Sequence, residues 1–372
     1  MYLSRGWVIQ RLEMGNLSAS IQSICVAFVG PTLSRNFQIS PNPFEILAPE
    51  LEARGIRCLL TSAVTNRYGR FLDIFHTLIR YRSKIDVICI GVYTGLSFVA
   101  EDMASMVGKI LGKPVIMRLE GGAIPEFMLR FPNWSRRVLK RANLIISPSN
   151  YLIEAIERHG FSARLLPNPI IISEYHFRHR VSIYPTIIWL RALHKVYNPT
   201  DAIKALALVS KDYPETQLIL VGPDKGDGSL QEIQDLAARL GVSHHLEIIG
   251  AIPKKQISNW LEKGDIFLNT TSYESFGISV MEAAACGLCI ITTSVGELAY
   301  LWKDGFNALL VPPHDPEAIA IAFRRIMTEP ELAGMLSQNA RNNAILYDMD
   351  LIADQWKQVL LNVYEEKIAR NM

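Results

Sequence analysis

No apolar run in this chain approaches the roughly 18 residues that a membrane-spanning helix needs. The first twenty residues hold one short apolar cluster, Trp7-Val8-Ile9, too brief for a signal-peptide core. They are expected to form a poorly ordered extension, 1–20, ahead of the first strand. Charge imbalance is also lacking: 38 basic against 36 acidic side chains leave a formal charge of +2, too little to point to nucleic acid. Five cysteines, Cys25, Cys58, Cys89, Cys286 and Cys289, are an odd number, several of them inside apolar runs. They read as buried thiols of a reducing cytosol, not as a disulfide framework. Cys286-Gly287-Leu288-Cys289 has redox spacing but spans a helix end and a strand start, whereas a thioredoxin-type motif opens a helix. No G-x-G-x-x-G follows the first apolar strand, which disfavours a plain NAD-dependent dehydrogenase. No Asp-x-Asp or His/Cys cluster stands at a strand end, so no metal is expected. His176, His179, His244 and His245 fall in a linker or a loop and read as surface residues.

What is present is a regular alternation of apolar strands and amphipathic helices over 372 residues, enough for two domains. In the first half, strands are expected at Ile24–Val29, Arg57–Thr61, Asp86–Gly91, Pro114–Leu119 and Asn143–Ser147, with helices between. The pattern lapses from Asn168 to Pro185, a stretch with two prolines that reads as the interdomain linker. A second series then runs from Thr186–Leu190 to the helix at Pro316–Met327. The fold class is therefore α/β, two Rossmann-like, doubly wound parallel sheets facing across a cleft. The domains are set at 1–178 and 179–345, followed by a long helix in 346–372.

The most informative stretch is GDIFLNTTSYESFGISVMEAAACGLCIITT, residues 264–293. Ile266–Leu268 is a buried strand, Ile278–Ala285 a helix stopped by Gly287, and Leu288–Thr293 a second strand. The intervening loop lies at a strand's carboxyl end, where ligands bind in open α/β sheets. Glu274 sits in that loop and Glu282 eight residues on, with the backbone amides of 276–279 between them as an anion site. A carboxylate on each side of an anion site suits a ligand with phosphate in the middle and hydroxyls at both ends. Nucleotide-sugars have that shape.

Glu274-x7-Glu282 followed by Ala283-Ala284-Ala285-Cys286-Gly287 resembles the Glu-x7-Glu signature of retaining, nucleotide-sugar-dependent glycosyltransferases of family 4, which have the GT-B architecture. Leu119-Glu120-Gly121-Gly122, Leu166-Pro167-Asn168, Trp189-Leu190-Arg191, Val221-Gly222-Pro223, Ile249-Gly250 and Val311-Pro312-Pro313 add matches in order along most of the chain. The resemblance implies that Glu274 orients the donor sugar and that Glu282 holds the nucleotide ribose. It implies that Phe276, Gly277 and Ile278 offer backbone amides to the sugar and diphosphate. It places Ile252 at the base and Gly222 along the same cleft. Arg191, at a strand's carboxyl end, suits the diphosphate leaving group. Lys195 is the nearest match to a second cation usual in the family, at a shorter spacing. The final helix of such proteins crosses back to the first domain, which would bury Trp356 and Val359. No cofactor is implied beyond a UDP- or GDP-sugar as substrate; the acceptor would be a glycan or a lipid-linked molecule.

The chain departs from the family in its first half. Glu120 stands where many relatives carry histidine beside the reaction centre, and it would repel a diphosphate unless Arg118 offset its charge. The loop Gly30–Arg35 lacks paired glycines, with Arg35 as a compensating cation. Gly296-Glu297 replaces a frequent Gly-Gly. Trp134–Arg141 (WSRRVLKR) carries Trp134, Val138 and Leu139 on one helical face among cations, a pattern for peripheral contact with anionic lipid at the inner face of the membrane. The expected activity is transfer of a hexose-type sugar in polysaccharide or glycolipid synthesis. An inactive, nucleotide-sugar-binding relative and a nucleotide-sugar 2-epimerase are the alternatives.

Overall fold

The computed structural model describes residues 24–32 and 42–371; the expected extension at 1–20 and Arg35 lie outside them. The first domain runs β1 (Cys25–Val29), α1 (Pro43–Ala53), β2 (Arg57–Thr61), α2 (Arg67–Arg80), β3 (Val87–Val92) and α3 (Phe98–Ile110). It continues through β4 (Val115–Leu119), α4 (Ile124–Arg130), α5 (Pro132–Leu139), β5 (Leu144–Ser147), α6 (Asn150–Glu157) and β6 (Arg164–Leu165). The second domain begins β7 (Thr186–Leu190), α7 (Pro199–Val209), β8 (Gln217–Val221), α8 (Ser229–Arg239), β9 (Leu246–Gly250) and α9 (Ile257–Leu261). Next come β10 (Ile266–Asn269), α10 (Ile278–Ala285), β11 (Cys289–Thr293), α11 (Leu298–Leu301), β12 (Leu309–Val311), α12 (Pro316–Thr328) and α13 (Leu332–Ile345). A last helix, α14, spans Met349–Asn371.

Both sheets are six-stranded and parallel, in the orders β2-β1-β3-β4-β5-β6 and β12-β11-β10-β7-β8-β9. Their central strands are continuous apolar runs because helices cover both faces. The strand order reverses between β1 and β3 in the first sheet and between β7 and β10 in the second. Crevices open at the carboxyl ends of strands at such reversals, so the topology nominates two places for ligands.

Each sheet has a core on either face. Leu166 belongs to a first-domain core, while Ile170, Ile172 and Tyr175 belong to a second-domain core. The chain therefore changes core between Leu166 and Ile172, ahead of the boundary set at 178. On α14, Trp356 and Val359 are buried in the first domain's core. Trp356 lies edge-on to Phe28 and Phe44, each centroid 6.3 Å away.

Two expectations need correction. The face of α5 assigned to lipid is packed inward: Val138 and Leu139 are buried, and Trp134 stands edge-on to Phe98 at 4.9 Å. The Trp134 indole and Arg137 and Arg141 converge on Asp102. The helical spacing of the apolar residues marked a core-facing stripe, leaving Arg136, Arg137 and Lys140 outside. His245 is not a surface residue; it is buried, with Nδ1 2.9 Å from the Thr216 carbonyl. No described helix is long and apolar enough to cross a membrane.

Candidate active site

The reversal between β7 and β10 gathers the residues singled out in the second half. Arg191 follows β7 directly and Glu274 follows β10. Gly222, at the end of β8, is buried, and a Cβ there would lie 1.8 Å from the Arg191 carbonyl oxygen. Its work is thus to let β8 close up under Arg191, and the backbone φ of 148° suits only glycine. The Arg191 guanidinium lies 4.6 Å from the Tyr197 ring centre and pairs with the Glu274 carboxylate. Burial pulls its pKa down, opposed by Tyr197.

Glu274 is 8% exposed, and its Oε1 accepts from the Ser275 amide at 3.0 Å and the Phe276 amide at 3.3 Å. One of the amides expected to face the donor is therefore held by Glu274 here. Phe276 itself is buried against Tyr347, centroids 5.7 Å apart. Gly277 takes φ 91° as the N-cap of α10, and no side chain caps that helix. Its first turn carries the positive end of the helix dipole, with the Val280 and Met281 amides held by the Gly277 carbonyl. Ile278 is exposed at that turn.

Eight residues past Glu274, Glu282 is 2% exposed, and two partners that sequence reasoning missed meet it. The Tyr175 hydroxyl donates to its Oε1 at 2.9 Å, and Lys254 pairs with the same oxygen. Burial lowers the Lys254 pKa, opposed by Glu174. Tyr175 lies in the stretch set aside as linker. Lys254 sits two residues past Ile252, itself half-buried against the second core; proximity to a position already assigned to the base was the available signal. Lys195 is exposed on a short 3-10 turn, its backbone amide donating to Asp227 at 2.9 Å.

Across the cleft, Glu120 follows β4. Arg118, 1% exposed, pairs with it and also reaches Asn168. Burial raises the Glu120 pKa and Arg118 opposes that. Arg118 thus supplies the offset that a diphosphate-facing glutamate requires.

The two domains also touch through residues next to this constellation. Glu297, 1% exposed, accepts from the Tyr151 amide at 2.9 Å and the Asn150 side chain at 3.2 Å, at the start of α6. Its own amide donates to the Glu274 carbonyl at 3.1 Å. The Tyr273 hydroxyl donates to the Gly122 carbonyl, and its ring stands 5.6 Å from that of Tyr151. Among the described residues no group of three or more His, Cys, Asp or Glu side chains forms a metal-binding cluster.

Residues 173–343, which carry every second-half feature above, match the family model described as glycosyl transferases group 1. The chain superposes on sucrose-phosphate synthase from Thermosynechococcus elongatus with a TM-score of 0.75, at 17% identity, covering 92% of this chain and 100% of that one. It superposes on Anabaena Alr3699/HepE in complex with UDP with a TM-score of 0.72, also at 17% identity, covering 91% and 100%. The fold is GT-B. Among curated sequences, D-inositol 3-phosphate glycosyltransferase of Thermobispora bispora is 26% identical over 190 residues, 50% of this chain and 44% of the relative. The corresponding protein of Saccharomonospora viridis is 30% identical over 154 residues, 41% and 35%. The chain spans less than half the length of these relatives.

Proposed function

We propose that the protein is a retaining glycosyltransferase that moves a hexose-type sugar from a UDP- or GDP-sugar to a glycan or lipid-linked acceptor. The observation that carries this reading is the pair of buried glutamates flanking the uncapped N-terminus of α10, each already matched with a cation: Glu274 with Arg191, Glu282 with Lys254. The spacing fits a ligand whose ends offer hydroxyls and whose centre is a diphosphate.

Binding then exchanges partners. The donor's ribose hydroxyls take over Glu282, and its sugar hydroxyls take over Glu274. Arg191 and the first turn of α10 turn to the diphosphate, where Arg191's fork of donors stabilises the charge that grows as the sugar leaves. On this reading no protein nucleophile is required; the leaving phosphate takes the acceptor's proton, and the enzyme's contribution is alignment and charge stabilisation. Lys195 lies near enough in sequence to join Arg191 when the 3-10 turn approaches the donor.

Arg118 beside Glu120 favours an active enzyme over an inactive relative, because the offset charge no longer bars a diphosphate. Five unpaired thiols support a cytoplasmic setting. With the apolar face of α5 buried, contact with the inner membrane face would rest on Arg136, Arg137 and Lys140 alone.

The test is a thermal-shift screen against UDP-, GDP- and ADP-sugars followed by transfer from a labelled donor. Glu274→Gln is expected to cut transfer by about 3 kcal/mol of barrier while leaving nucleotide affinity nearly unchanged. Glu282→Gln is expected to weaken nucleotide binding. Parent-like behaviour of both variants would show the assignment to be wrong, and formation of an epimer from the donor alone would identify the 2-epimerase instead.

A further inference from the structure

The second reversal of strand order, between β1 and β3 in the first sheet, has its own cavity. It encloses about 480 Å³, within the usual range for small-molecule sites. Gly30 and Pro31 enter it from the end of β1, Gly91 and Tyr93 from the end of β3. Its walls are apolar: Val29, Phe71, Ile74, Leu96, Val99 and Ala100. The apolar surface continues outward, with Tyr68 83%, Leu72 64% and Leu96 70% exposed.

Three acidic or basic side chains break this lining. Arg67 and Arg70 stand on the first turns of α2 at the wall. Among the described residues neither makes an ion pair; Arg70 donates to the backbone carbonyls of Val64 and Thr65 at 2.9 and 3.3 Å. Glu101 lines the inner end and is 4% exposed. One of its oxygens accepts from the Tyr93 amide at 2.8 Å, and the other, also buried, has no partner among the described residues. Burial raises its pKa well above the ordinary value.

The cavity also abuts the reaction cleft. Gly91 forms part of its wall, and a Cβ on Gly91 would stand 3.4 Å from Glu120 Cγ. A molecule held here lies one residue's thickness from the group that faces the donor site.

We propose that this cavity takes the hydrocarbon part of an amphiphilic acceptor, a chain adjoining a phosphate, with Arg67 and Arg70 on the phosphate. The inference rests on the transferase reading and commits it to a lipid-linked acceptor. Apolar walls alone would suit any hydrophobe, and two arginines with no ion pair among the described residues would suit any anion. Side by side at a strand-order reversal, they select a molecule carrying both. The buried Glu101 oxygen, without a partner among the described residues, adds a polar contact at the chain's inner end.

The test titrates the full chain by calorimetry with decyl phosphate below its critical micelle concentration, and in parallel with inorganic phosphate and with decanol. Decyl phosphate is expected to bind at least about tenfold more tightly than either fragment, since each fragment satisfies one half of the site. Leu96→Asp and Arg67→Glu, both at exposed positions, are each expected to weaken decyl phosphate about tenfold. Both should leave the thermal shift given by the nucleotide-sugar at its parent value, which shows that they fold. Equal affinity for decyl phosphate and inorganic phosphate overturns the proposal, as does parent-like affinity in both variants. The two readings fail separately: absence of any nucleotide-sugar shift counts against the transferase assignment, whereas the decyl phosphate titration judges the cavity.

Discussion

Glu297→Ala is the perturbation that most directly probes how the two halves of the site are held together. Helix α6 begins at Asn150, and Ser149 already caps its Leu152 amide. The Tyr151 amide is served from the other domain, by Glu297. Alanine removes that bond and the one from the Asn150 side chain, and it takes an anion away from a helix N-terminus. Hydrogen bonds to a charged group contribute about 1.5–3 kcal/mol each. Against this stands the burial that raises the Glu297 pKa and already discounts its charge. A net loss of about 3 kcal/mol in interdomain coupling follows, roughly a hundredfold shift away from the closed arrangement. Because the Glu297 amide also holds the Glu274 carbonyl, the opening separates Glu274 from Glu120 across the cleft. Small-angle scattering should report a larger radius of gyration, and kcat/KM for transfer should fall by about tenfold or more. Glu297→Gln keeps an acceptor oxygen for the Tyr151 amide and should recover about half of the loss in free energy. A scattering profile and a kcat/KM for Glu297→Ala that both match the parent would refute the idea that this contact holds the domains.

Other expectations follow from the same packing. Lys254→Met leaves the Glu282 carboxylate with Tyr175 alone; since Lys254 is over a third exposed, the cost is discounted to about 1–2 kcal/mol in a urea titration, with weaker nucleotide binding. Trp356→Ala, emptying the contact with Phe28 and Phe44, should cost about 3–5 kcal/mol while leaving the nucleotide-sugar thermal shift measurable. Glu101 gives a pH signature. Its folded pKa is raised, so its contribution is complete below the unfolded value and is lost as pH rises through the folded one. Glu101→Gln, which still accepts from the Tyr93 amide, should therefore gain melting temperature over the parent as pH climbs above the ordinary carboxylate range; a constant difference would contradict the raised pKa of the buried carboxyl.

Much of the fold was legible because its strands are buried on both faces and so appear as uninterrupted apolar runs. Ile278–Ala285 was bounded to the residue, since a positive-φ glycine stands just ahead of it and another just beyond its C-cap. What escaped had weak contrast. Helix α13, LAGMLSQNARNNAI, packs through small residues such as Ala333, Gly334, Ala340 and Ala344, which carry little hydropathy. Helix α11 is a single turn, and β6 is two residues long. At the site, Glu274 and Arg191 were legible because each stands beyond a strand's carboxyl end, and Glu282 because it lies on the helix of the same plain strand-loop-helix pattern as Glu274. Tyr175 was not: it reaches Glu282 from 107 positions away, a separation no local pattern encodes. Gly222 was placed along the cleft, but its packing under Arg191 went unread, since a buried glycine under an arginine looks in sequence like any glycine at a strand end.

Helix α14 imposes an order of events on biosynthesis. Phe28 and Phe44 emerge from the ribosome early, yet the surface they pack on includes Trp356, made more than three hundred residues later. Until then one face of the first sheet is covered only in part, by α1, while the second domain has every strand it needs by Val311. Domains usually complete in the order they are translated; here the second should close first. The nascent first domain is thus the segment with most need of a chaperone, and the last to become safe from aggregation.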